Sequence, residues 1–200
     1  MTDRILVLDL ETTGLNGHRH GDKIVEIGVV CADLKRDTIT PLFSTPVHYD
    51  ELTDAEEHSW IFTEGHMTPD DVYNSPIDEE KAACIVSAIL DAELVTSYNT
   101  EFDFDRFLVP WLDRIIPDEL DFCYFRAPCL MRACAQVDEI PRESHDNGCY
   151  PSLASSYYTL CNYGKDRPEH RAIHDSIRAA EILLALVDRG LYDPDRTEEY

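Results

Sequence analysis

Near the start of the chain the apolar positions form two short runs. Residues 4–10 and IVEIGVV (24–30) have the length and Val/Ile/Leu content of strands. Gly14-Leu15-Asn16-Gly17 turns the chain between them, and a polar loop follows to Lys23. A third strand is expected from Thr38 to Tyr49, where Pro41 and Pro46 suit a sheet edge. Residues 50–77 lose all periodicity and read as short helical turns and loop. DEEKAACIVSAILDA (78–92) combines early acids with helical apolar spacing, and ELVTSY (93–98) is a short strand. TEFDFDRFLVPWLDRII reads as a helix that Pro110 ends or kinks. Helices follow near 128–136 and 151–163, the second stopping at Gly164. The last, Ala172 to Asp188, carries Ile173, Ile177, Ala180, Leu184 and Val187 on one stripe, widened by Ile182 and Leu186. Strands first, then helix alternating with strand, predict an α/β or α+β domain with a mixed sheet. Residues 1–190 read as one domain and 191–200 as a short acidic tail.

Three places break this pattern with carboxylates. In the first strand, Asp9 and Glu11 are two residues apart and project from the same face. Two close acids in a half-buried place cannot both ionise comfortably without a cation between them. In SYNTEFDFD (97–105), Asp103 opens a helix, where Thr100-x-x-Asp103 also has the form of a capping box. In HRAIHD (170–175), His170 precedes the last helix and Asp175 lies one turn into it. Each place alone also fits a structural role: a strand end in solvent, a cap, a polar helix start. Together they give an oxygen-rich set suited to hard divalent cations such as Mg²⁺, and such a pair of ions stabilises both oxygens of a phosphodiester displacement.

Charge sharpens this picture. The formal net charge is -23, the wrong sign for a protein that grips long stretches of nucleic acid through Lys and Arg. Residues 50–119 hold 19 acids against 3 bases, whereas 121–180 hold 8 against 7. A polyanion would therefore approach the second region, with Lys165, Arg167, Arg171, Arg126, Arg132 and Arg142 as candidates to steer it. Seven cysteines with no C-x-x-C pair argue for reduced thiols rather than zinc or disulfides. No apolar run reaches membrane-span length and no signal peptide is visible, so a cytoplasmic protein is expected.

The ordered motifs D-L-E-T-T-G-L, N-x-x-F-D and H-x-x-x-x-D, within Leu6 to Leu186, resemble the DEDDh (DnaQ-like) 3′→5′ exonucleases. HRAIHDSIRAAEILL and the segment around Cys129-Leu130-Met131-Arg132 look most like the exonuclease X group. The resemblance implies a ribonuclease H-like fold, a five-stranded mixed sheet flanked by helices. It also implies two Mg²⁺ or Mn²⁺ ions held by Asp9, Glu11, Asp103 and Asp175, with His170 as general base. Histidine fits that task because its ordinary pKa, about 6.5, lies near working pH. The implied substrate is a nucleic acid with a free 3′ end, single-stranded DNA before RNA, releasing 5′-mononucleotides. Backbone around Thr12 and Thr13 would meet the 3′-OH, Leu15 would pack on the last base, and Asn99 and Phe102 would lie beside the terminal nucleotides. Two positions depart from the family pattern. Tyr98 stands where a His is usual before Asn99, and in Gly65-His66-Met67-Thr68 the customary His position is Gly65. The loop 17–22 is long, and exposure to solvent is the simplest expectation for it. No polymerase-docking motif is visible in the tail, which favours a stand-alone enzyme. The alternatives are an inactive binding subunit of the same fold and, more distantly, an acidic DNA mimic.

Overall fold

The computed structural model describes residues 3–65, 67–116, 124–145, 148–161 and 170–196. β1 (Arg4–Thr12) pairs antiparallel with β2 (Ile24–Asp33), and β2 pairs antiparallel with β3 (Thr38–Pro46). On its other side β1 pairs parallel with β4 (Leu94–Ser97), and β4 with β5 (Phe125–Arg126), giving the order β3-β2-β1-β4-β5. The proline-bearing strand is thus an edge, as its composition predicts. β5 is too short to leave any periodicity in the sequence. A small hairpin, β6 (Glu143–His145) with β7 (Gly148–Tyr150), is likewise invisible there.

The aperiodic stretch 50–77 folds into three short helices: α1 (Asp54–Glu57), α2 (Trp60–Thr63) and α3 (Pro69–Tyr73). Local capping explains their starts, with a reciprocal box between Thr53 and Glu56 at α1. α4 (Glu79–Leu90) begins at Asp78, whose side chain accepts the Lys81 amide. After β4 the helix does not end at Pro110. A wide-turned stretch with i→i−5 bonding, Glu101–Leu108, runs directly into α5 (Val109–Ile115), and Pro110 occupies the first turn of the latter, where proline is tolerated. α6 (Leu130–Cys134) is shorter than its pattern suggests, and α7 (Leu153–Cys161) starts two residues late; residues 162–164, where its end is expected, lie outside the described residues. α8 (Ala172–Asp188) has the expected limits.

Strand alternation divides β1 between two cores. Leu6, Leu8 and Leu10 pack with Val86, Leu90, Trp111 and Leu112 from α4 and α5. Ile5 and Val7 pack on the other face with Leu130, Leu160, Ala179, Ile182 and Leu183. By period two, Asp9 and Glu11 continue the Ile5–Val7 face, beneath α8.

The buried side of α8 differs from the expected stripe. Ile173, Ile177, Leu184 and Val187 are only half-buried, whereas Ala172, Asp175, Ser176, Ala179, Ala180, Ile182, Leu183 and Leu186 are buried. The cause is close approach to the sheet. A Cβ at Gly28 would overlap the Ala172 backbone, so the helix rests directly on that glycine. Small residues fit there, and the Ser176 hydroxyl lies 2.7 Å from the Ala172 carbonyl oxygen and 3.0 Å from that of Gly28. Among the described residues, no helix is long and apolar enough to cross a membrane.

Candidate active site

Gly28 is the register partner of Asp9. Seating the start of α8 on Gly28 therefore brings Asp175, one turn into the helix, over the end of β1. One carboxylate oxygen each from Asp9, Glu11 and Asp175 lie within 4.8 Å of one another. The parallel pairing of Leu8 with Ser97 makes β4 end beside them. The chain then turns through Tyr98 and Asn99 into the wide-turned helix that carries Asp103. This is the carboxyl end of parallel strands, where open α/β sheets place their ligands.

Asp103 is buried. Thr100 is already helical (φ −58°, ψ −32°) and makes no capping bond. Asn99 opens the helix instead: its carbonyl accepts the Asp103 amide at 3.0 Å, and its side-chain oxygen lies 3.5 Å from the Phe102 amide. The Asp103 carboxylate accepts the amides of Asn99 and Leu10, which bind it to the end of β1.

His170 stands with Nδ1 3.7 Å from Asp175 Oδ2, while Arg178 Nη1 donates to Asp175 Oδ1 at 2.7 Å. Its position has a support that the motifs did not reveal. Glu26, 1% exposed and the register partner of Glu11, accepts Arg171 Nε at 2.9 and 3.1 Å, Arg171 Nη2 at 2.5 Å and the Ala172 amide at 2.8 Å. A buried carboxylate thus pins the residue next to His170 and the first turn of α8 to β2. On its other side, His170 meets the Trp60 ring edge-on, centroids 4.6 Å apart and planes at 78°. Glu26 left a signal in the sequence, a lone acid in the apolar run IVEIGVV. Trp60 left none.

The electrostatics record the crowding. Burial, reinforced by the charges of Asp103, Asp175, Glu11 and Glu26, raises the Asp9 pKa well above the carboxylate range. Burial and then Asp175, Glu26 and Asp103 push Glu11 up to about 8, with Arg171 opposing. Burial takes Asp103 to about 7, and it raises Asp175 against the pull of Arg178 and His170. Such acids are held together against their own repulsion. An all-oxygen donor set with unmet negative charge fits Mg²⁺ or Mn²⁺ and not a thiolate- or imidazole-seeking ion.

An exonuclease family model, RNase_T, matches residues 6–183, through every strand of the sheet and most of α8. The chain belongs to this exonuclease family. Its five-stranded sheet with flanking helices is the ribonuclease H-like fold. Among solved structures it is similar to E. coli Exonuclease I in complex with a dA16 oligonucleotide, at 18% identity and TM-score 0.70, covering 96% of this chain and 42% of that one. It is also similar to the nuclease domain of 3′hExo, a DEDDh family member, bound to rAMP, at 14% identity and TM-score 0.69, covering 98% of each. At these identities the likeness is one of fold. The chain spans less than half the length of Exonuclease I. No curated protein matches the sequence.

Around the acids of this exonuclease-family chain, the remaining residues take defined places. The Thr12 hydroxyl donates to the Gly14 carbonyl at 2.7 Å, and Thr13 gives its amide to the Lys23 carbonyl while its hydroxyl accepts the Lys23 amide. Loop 17–22 is not a free solvent loop. Asp22 accepts the amides of Asn16 and Gly17, Arg114 Nε donates to His18 at 2.9 Å, and Arg106 reaches the Leu15 carbonyl at 3.4 Å. This fastened turn holds Leu15 73% exposed. Phe102 is half-buried against Phe107, ring centroids 4.9 Å apart. The Tyr98 hydroxyl lies 2.8 Å from both the Pro151 carbonyl and the Ser156 hydroxyl, and so ties the end of β4 to α7.

The proposed steering cations are largely committed elsewhere. Arg171 serves Glu26, Arg126 grips Asp105 with both Nη atoms at 2.6 and 3.0 Å, and Arg142 donates to the Ala135 carbonyl. Arg132 lies 4.0 Å from Glu101. Lys165, Arg167 and His66 lie outside the described residues. Of the segment read as a tail, Tyr192 is buried and donates to the Pro128 carbonyl at 2.6 Å.

Proposed function

We propose that this chain is a divalent-metal-dependent 3′→5′ exonuclease that removes 5′-mononucleotides from single-stranded DNA ends, with RNA ends as the second substrate. The observation that carries the reading is the convergence of Asp9, Glu11 and Asp175 within 4.8 Å, beside His170 and the buried Asp103. Two Mg²⁺ or Mn²⁺ ions held by these four acids would supply Lewis-acid stabilisation of the attacking and leaving oxygens. The protein's own part is positional. His170 takes the proton from the attacking water, and Asp175, 3.7 Å from its Nδ1, stabilises the resulting imidazolium. The Thr12–Thr13 backbone receives the 3′-OH, the exposed Leu15 packs on the last base, and Asn99 and Phe102 border the terminal nucleotides. Commitment of Arg171 and Arg126 to internal partners supports a short footprint and low processivity. Exonuclease I with dA16 and 3′hExo with rAMP show that related folds hold either sugar, which supports testing both.

Matched 5′-labelled single-stranded DNA and RNA oligonucleotides, digested with Mg²⁺, Mn²⁺ or EDTA, provide the test. A ladder shortening from the 3′ end, abolished by EDTA, by Asp9→Ala and by His170→Ala, is expected, with DNA cut faster. Absence of product from either substrate with either metal would overturn the reading.

A further inference from the structure

Trp60 is 54% exposed although its neighbour Ile61 is buried in the first core. An exposed indole offers a large flat face on which a base can stack. Here that surface adjoins the acids, because the indole meets His170 at 4.6 Å and His170 lies 3.7 Å from Asp175. Among the described residues, the cations around the acids are already paired with carboxylates. Arg171 is held by Glu26, Arg178 by Asp175, Arg106 by Glu101 and Lys23 by Glu56. In a chain of net charge -23, apolar and stacking contact is the grip on a nucleotide that these residues leave open. Stacking on an aromatic side chain holds single-stranded bases without regard to sequence.

We propose that Trp60 is a substrate-binding residue, a platform on which one base of the 3′-terminal nucleotides stacks while the indole edge keeps His170 in place. The inference rests on the exonuclease reading above and adds a base contact outside the three motifs.

The molecule supplies its own probe. It has two tryptophans, and the other, Trp111, is fully buried, so a ligand-induced change in indole emission reports Trp60. In Mg²⁺, dAMP quenches that emission and deoxyribose 5-phosphate, which lacks the base, does not. With oligonucleotides, Trp60→Ala raises KM on the order of tenfold with a smaller change in kcat, and Trp60→Phe restores most of the loss. Equal quenching by dAMP and deoxyribose 5-phosphate would overturn the proposal. So would an unchanged KM in a Trp60→Ala protein that still produces the 3′ ladder. Those outcomes leave the exonuclease reading standing, whereas a wild-type protein that neither digests oligonucleotides nor binds dAMP removes both.

Discussion

Glu26 and Arg171 decide where the proposed general base stands. The carboxylate is 1% exposed and the Arg171 side chain 29%, and their forked contact lies one residue from His170. Removing the guanidinium leaves a buried carboxylate without its partner, a loss of about 3 kcal/mol, at the low end for buried pairs because Arg171 is part-exposed. Urea unfolding of Arg171→Ala should show that loss, and its kcat should fall because His170 is no longer tethered. A variant with wild-type stability would disprove the clamp. Asp9, Glu11 and Asp175 meet as period two and one helical turn suggest, whereas Asp103 and His170 were singled out only by the order of the three motifs. Glu26 carried the same signal as Asp9, an acid in an apolar strand, but lies in no motif. Trp60 was hidden because residues 50–77 have no period to break, and its meaning arises only when α2 folds against His170.

At the level of elements, the central event is the contact of α8 with β2. Gly28 admits the helix, and the register that pairs Gly28 with Asp9 places Asp175 on the same spot. Gly28→Ala should cost about 1–3 kcal/mol by overpacking, and should weaken Mn²⁺ affinity as Asp175 shifts from its partners. Calorimetry on the folded variant checks the second part, and unaltered affinity would show that helix position does not set the acids. The sequence predicted the limits of α8 and the burial of Ala180, Ile182 and Leu186, but only part of its buried face. Hydrophobicity pointed to Ile173, Ile177 and Leu184, whereas closeness of approach selected Ala172, Ser176 and Ala179. Likewise, composition could not foresee the wide-turned helix, which runs directly into α5 and so carries the chain through the expected break at Pro110.

Across the whole molecule, the acids make folding and metal binding respond to pH in opposite ways. Folded Glu11 titrates near 8 and Asp103 near 7, both above their ordinary values. Between the ordinary carboxylate range and those values, the folded state binds more protons than the unfolded one, so metal-free stability falls as pH rises. In EDTA the Tm should therefore be higher at about pH 5 than at about pH 8, with the slope reduced in Glu11→Gln. A slope unchanged by that substitution would assign it to general charge repulsion alone. Metal reverses the trend, because ionised carboxylates are the ligands and protonated ones are not. Titration of Mn²⁺ into the metal-free protein near pH 8, beside Asp9→Ala, tests the account most directly. It predicts about two ions per wild-type chain and loss of that binding in the variant. No binding to the wild type, or equal binding to both proteins, would contradict it.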